Sequence, residues 1–211
     1  ETYTSGTWTN QNIYVAIQKE SAGTTSYQSK SGSAQTVAKT TGETTITTNG
    51  TTTLILTTTD GTNTLTKEYV IKIDKIKPTV TFNPVNKDWT KEDTPVLITV
   101  SDNVGIKQWK WKLSISNDTN IENAVWETNW RETFTGTNSK TITLTAEGIR
   151  FFKIEITDTA GNVQTINSSY YKVDKSLPVI NSLTQSPTTV ATKTTLTGKA
   201  TDRLSGINAF Q

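Results

Sequence analysis

Residues 72–78 read KIDKIKP and residues 172–178 read KVDKSLP. The two stretches stand 100 positions apart, and Lys72, Asp74, Lys75 and Pro78 recur as Lys172, Asp174, Lys175 and Pro178. An internal repeat organises a chain before any secondary structure is assigned. Upstream of each copy the match continues: TITTNGTTTLILTTTDGTN (45–63) parallels TITLTAEGIRFFKIEITDTAGN (141–162), with Gly50 beside Gly148 and Asp60 beside Asp158. At the other end of the unit, SDNVGI (101–106) parallels TDRLSGI (201–207), and KESAGT (19–24) holds the corresponding place in the first copy. Trp8-Thr9 and Trp89-Thr90 open the two better-defined copies. The repeat divides the chain into residues 1–77, residues 78–177 and a third unit, 178–211, that begins at Pro178. Lys and Pro with little Gly make the joints short and stiff compared with Gly/Ser linkers. The third stretch is too short for a core of its own, so it packs on a neighbour, belongs to an incomplete domain, or is partly disordered.

Within 78–177 the strand signals are plain. PTVTF (78–82) and PVLITV (95–100) are β-branched runs, while Trp109, Trp111, Leu113 and Ile115 alternate with Lys110, Lys112 and Ser114. That period of two predicts one buried face carrying both tryptophans and Ile115. KTITLT (140–145), the alternation of Phe152, Ile154 and Ile156 with Lys153 and Glu155, and SSYYKV supply further strands, with DTAGN (158–162) as a turn. Six or seven short strands in about 100 residues without a helical period predict an all-β chain of tandem antiparallel sandwiches.

Composition narrows the chemistry. The 211 residues hold no His, no Cys and no Met, which removes the Ser-His-Asp triad, the thiol nucleophile, Cys/His metal sites and disulfides. Thr numbers 46, and as a β-branched polar residue it suits strands with solvated faces. A net charge of +2, with lysines scattered among acids, argues against a nucleic-acid partner. No apolar run is long enough for a transmembrane helix, so no membrane insertion is expected in this segment. Without an initial Met or a signal segment, the sequence reads as a piece of something longer or a processed product.

The order W-T, apolar strand, DNVG or DRLSG, aromatic strand, W…W, T-x-E-G, DTAGN and KIDKIKP resembles the Ig-like repeats of bacterial surface and adhesin proteins. Residues 78–177 match nearly all of that pattern, 1–77 its second half, and the tail its first third. Two departures stand in the first copy, which has Glu20 where the others have Asp102 and Asp202, and DGTN where the second has DTAGN. The resemblance implies a non-catalytic stalk or binding surface, extracellular at a cell surface or cell wall. Implied partners are neighbouring Ig-like repeats and a host or cell-surface protein or glycan. LPVI (177–180) lacks the Thr and Gly of a wall-sorting signal, so the location rests on the resemblance alone.

Acids recur at strand ends: Glu20, Asp102 and Asp202, then Asp60 and Asp158, then Asp74 and Asp174. In an Ig-like sandwich the loops after the second and sixth strands lie at the end where the preceding unit arrives, so Asp74, Asp102 and Asp158 are expected to converge at the first joint. With Asn103 and backbone carbonyls they would hold Ca²⁺, a hard cation that wants several oxygens; Lys75 and Lys77 beside Asp74 oppose it. The competing reading has each Asp capping its own turn through nearby backbone N–H groups. No other cofactor is expected.

Trp126 and Trp130, in ENAVWETNW, have no counterpart in the first copy. They are read either as packing residues or as a glycan contact, the latter making the chain an accessory carbohydrate-binding module of a secreted glycanase. Trp8 and Trp89 read as structural plugs. Strand lysines Lys110, Lys112, Lys153 and Lys172 raise an isopeptide crosslink, although alternation turns most of them outward. Paired carboxylates of the glycosidase kind have no support in the acid spacing. The absence of a first strand from 1–77 and the surplus strands after Pro178 raise strand exchange between subunits. Thr-rich 1–77 is expected to be less stable than 78–177.

Overall fold

The computed structural model describes residues 2–18, 24–29, 35–37, 41–186 and 195–209, so Glu20 lies outside the described residues. Among the described residues all regular structure is β apart from one 3-10 turn, Ile121–Asn123. The first segment holds β1 (Trp8–Thr9), β2 (Ile13–Gln18), β3 (Thr24–Ser29), β4 (Gln35–Val37), β5 (Thr41–Ile46), β6 (Gly50–Thr59) and β7 (Thr64–Ile73). They form one sheet in the order β1-β7-β6-β3-β4 and a second in which β2 pairs β5.

The second segment runs through β8 (Thr79–Asn83), β9 (Lys87–Thr90), β10 (Thr94–Ser101), β11 (Ile106–Leu113), β12 (Glu132–Thr135) and β13 (Ser139–Leu144). It continues with β14 (Gly148–Arg150), β15 (Phe152–Asp158), β16 (Val163–Asn167) and β17 (Tyr171–Val173). Its sheets are β13-β10-β8, β12-β11-β15-β16 and β14-β17-β9. A hairpin of β18 (Val179–Ser186) and β19 (Thr195–Thr201) follows.

Strand alternation builds the core of the second segment. Val96, Ile98 and Val100 face inward from β10, Trp109, Trp111 and Leu113 from β11, and Phe152, Ile154 and Ile156 from β15. Phe152 is the hub, with ring centroids 5.7 Å from both Trp111 and Tyr171 and 6.2 Å from Phe82. Each such side chain, fully buried, contributes roughly 1.5–3 kcal/mol. Among the described residues the first segment's buried cluster comprises Leu54, Ile71 and Ile73, with Tyr3, Ile13, Val15 and Ile46 packed against it.

Three expectations need correction. Ile115 is 57% exposed because β11 stops at Leu113, after which Ser114 turns its hydroxyl to the Phe151 amide and bridges to Trp126. The sheets are not purely antiparallel, since β1 runs parallel to β7 and β9 parallel to β17. Each Trp-Thr strand comes back alongside the last strand of its own unit, which lets Thr9 O and Thr90 O accept from Asp74 N and Asp174 N, both at 2.9 Å. For the same reason Trp8 and Trp89 are half-buried covers beneath Lys72 and Lys172, with Nζ 5.8 and 5.9 Å from their ring centroids, and do not plug the core.

Candidate metal centre at the first joint

Two turns and the linker build this site. β10 leads into Asp102, whose Oδ1 accepts from Val104 N at 2.9 Å and Gly105 N at 3.1 Å. Gly105 sits at φ +140°, which a Cβ disfavours, and its carbonyl accepts from Thr159 N at 2.9 Å, tying this turn to the one after β15. There Asp158 Oδ1 accepts from Gly161 N at 2.7 Å and Asn162 N at 2.8 Å. The linker contributes Asp74, whose Oδ1 accepts from Ile76 N at 3.0 Å.

The structure brings Asp74, Asp102 and Asp158 together: one carboxylate oxygen from each lies within 4.8 Å of the others. Asp74 is 1% exposed and Asp158 is fully buried. The turn-capping reading and the convergence therefore both hold, because each Asp caps with one oxygen and turns the other elsewhere. Asp158 Oδ2 accepts from Asn162 Nδ2 at 2.7 Å. Asp74 Oδ2 and Asp102 Oδ2 are buried and have no hydrogen-bond partner. Buried carboxylate oxygens without donors are costly, and three like charges this close repel one another. A hard dication would offset both, and an all-oxygen donor set suits Ca²⁺ or Mg²⁺ over softer metals. Three carboxylates supply part of the six to eight oxygens Ca²⁺ takes, leaving the rest to carbonyls and water. Asn103, the further ligand named from sequence, is exposed.

The opposing lysines are turned away. Lys75 Nζ donates to Asn12 Oδ1 and to Thr47 O at 2.9 Å, both in the first segment, and Lys77 is exposed. The sequence reading missed Asn162. Its Nδ2 donates to Asp74 O at 2.9 Å and Ile76 O at 3.0 Å as well as to Asp158, so one amide clamps the linker onto the second segment. The only signal was an Asn closing both DGTN and DTAGN. In the first copy, Asn63 Nδ2 reaches Asp60 Oδ2 at 3.2 Å on an exposed turn. Backbone N–H groups of Asn63 and Thr62 hold the Asp60 carboxyl at a pKa of about 2.

Trp126 and Trp130 lie apart from this centre. Both are half-buried on the outer face of β11 and β15. Lys153 Nζ sits 4.0 Å from the Trp126 centroid, and Lys110 and Lys112 Nζ sit 4.8 and 5.0 Å from that of Trp130. Each ring thus has a lysine ammonium over it, a cation–π arrangement that occupies part of its surface. Lys112 and Lys153 are directly opposed across the strands; burial, then Lys112, lowers the Lys153 pKa. Lys110 pairs with Glu155 at 2.7 Å and Lys172 with Asp88 at 3.1 Å.

No protein-family model matches the sequence, and no curated protein matches it. Among solved structures, the chain is similar to Clostridium thermocellum CbhA fibronectin(III)-like modules at 14% identity, over 79% of this chain and 87% of that one, with a TM-score of 0.35. It is also similar to a chimeric titin tandem at 10% identity, over 80% of this chain and 93% of that one, with a TM-score of 0.29. The all-β class rests on the strands of the described residues themselves.

Proposed function

We propose that the chain is a non-catalytic, semi-rigid spacer of a bacterial surface or secreted protein, made of Ig-like units set in tandem and stiffened at the first joint by calcium. The observation that carries this reading is the joint itself. Asp74 is 1% exposed, and Asn162 Nδ2 holds the carbonyls of Asp74 and Ile76, so the linker is part of the second segment's framework and not a tether. Asp74, Asp102 and Asp158 are the ligands, and their two unpartnered oxygens are the sites a dication fills. The motif resemblance supports the extracellular setting and the neighbouring repeats as partners. A binding role at the surface is secondary to the mechanical one.

The test is small-angle scattering of the full chain in CaCl₂ and in EDTA. The reading expects one fixed long dimension in calcium and a broader distribution in EDTA. An equally broad distribution in both would contradict it.

A further inference from the structure

Three connections of the second segment meet around a groove of about 420 Å³: the turn from β8 to β9, the excursion between β11 and β12, and the bend from β16 to β17. That volume falls within the range of ligand sites, roughly 300–1,000 Å³. Asn86, Asn120 and Asn167 contribute amides, Ser169 a hydroxyl, and Tyr170 a ring that meets Phe151 edge-on at 6.4 Å. No charged side chain lines the groove.

The framework behind it is fixed by hydrogen bonds. Tyr171 Oη donates to Pro84 O at 2.7 Å and Val85 O at 3.1 Å, and Lys87 N donates to Tyr170 O at 3.3 Å. Ser168 Oγ accepts from Phe152 N at 2.8 Å and donates to Ser169 O at 2.7 Å. The side chains facing solvent are not spent in this way. Asn86, Asn167 and Ser169 have no side-chain hydrogen bond to a described residue, and Asn120 uses its Oδ1 on Glu122 N but keeps its Nδ2. The backbone that carries these groups is fixed, and their side chains remain free to turn towards a ligand.

We infer that this groove binds a neutral saccharide. An amide offers a donor and an acceptor side by side, which matches vicinal hydroxyls that each donate and accept. Lys172 Nζ lies 4.7 Å from the Tyr170 centroid but is paired with Asp88 at 3.1 Å, so a charged ligand would give up hydration with no free counter-charge, and an apolar one would leave the amides unpaired. One wall, Asn120, belongs to the excursion that the first copy lacks, so the repeat fold does not require it. The site is independent of the joint, and its loss leaves the spacer reading untouched.

Affinity electrophoresis of the full chain in gels containing hydroxyethylcellulose, xyloglucan, glucomannan or dextran tests the assignment, with polygalacturonate as the charged comparator. Retardation by at least one neutral polymer is expected, reduced at least tenfold in affinity by Asn167→Ala and by Asn86→Ala. Both residues are exposed, and unchanged melting of the variants will show that they fold. Trp130→Ala is expected to keep the binding. Unchanged mobility in every neutral polymer, retardation by polygalacturonate alone, insensitivity to both Asn substitutions, or loss through Trp130→Ala would each overturn the assignment.

Discussion

The two joints repeat several backbone hydrogen bonds and differ in the side chains around them, most sharply at one oxygen of the linker Asp. At the first, Lys75 N donates to Asn49 Oδ1 at 3.1 Å, and Lys75 Nζ donates to Thr47 O at 2.9 Å. At the second, Lys175 N donates to Glu147 Oε1 at 2.9 Å, and Lys175 Nζ donates to Thr145 O at 2.9 Å. Ile76 N and Ser176 N reach the Oδ1 of Asp74 and Asp174 at 3.0 and 3.1 Å. The difference lies at Oδ2. Asp174 Oδ2 accepts from Ser205 N at 2.9 Å, whereas Asp74 Oδ2 is buried with no donor. DRLSG is one residue longer than DNVG, and within it the Ser205 amide reaches Asp174, whereas at the first joint the carboxylates of Asp102 and Asp158 gather with that of Asp74. Among the described residues, the linker Asp of one joint has both oxygens hydrogen-bonded and that of the other has one.

That contrast sets the predictions. The largest effect is calcium on the first joint: at a hundredfold excess over Kd, stability should rise by about 2.7 kcal/mol. Asp102→Asn should abolish the rise in melting temperature, and Asp202→Asn should leave it in place. Equal loss in both variants would break the distinction between the joints. Next comes Asn162→Ala, which strands two linker carbonyls and frees a third contact to Asp158. Removing such buried bonds costs about 2 kcal/mol, to be read in denaturant melts of the full chain without calcium. No loss would mean that the linker is not clamped.

Ser205→Pro withdraws the N–H that closes the second joint, and about 1 kcal/mol is expected, seen as faster hydrogen exchange in β18 and β19 with β10 and β15 unchanged. The smallest effect is acid. Hydrogen bonds from Ser205, the hydroxyl foremost, hold the Asp174 carboxyl below its ordinary range. A depressed carboxylate stabilises above its unfolded pKa, roughly 4, and that contribution fades as pH falls through the folded value. Ser205 amide protection should therefore persist at pH 5 and decline below about pH 4. Protection that falls already between pH 7 and 5 would point to another group.

Much of this was legible in the sequence, for physical reasons that differ by residue. Asp74, Asp102 and Asp158 could be brought together because repeated turn acids in a sandwich must fall at the same end. Trp109 and Trp111 could be placed in the core because alternation fixes the face of a strand. Alternation gives no end point, so Ile115 was carried one step past the place where β11 stops. It also says which face a lysine takes but not what lies over it, and the stacking of Lys153 on Trp126 was invisible. The parallel pairing of Trp8-Thr9 and Trp89-Thr90 had no signal, because two residues carry no period. Asn162 and Ser205 act on linker residues 88 and 31 positions away, and composition and spacing do not encode such pairs.

Equilibrium dialysis of the full chain against calcium, with metal analysis of the protein, counts the ions directly. One ion per chain, lost in Asp74→Asn and retained in Asp174→Asn, is the predicted result. No ion bound at millimolar calcium, or one that survives Asp74→Asn, would contradict it.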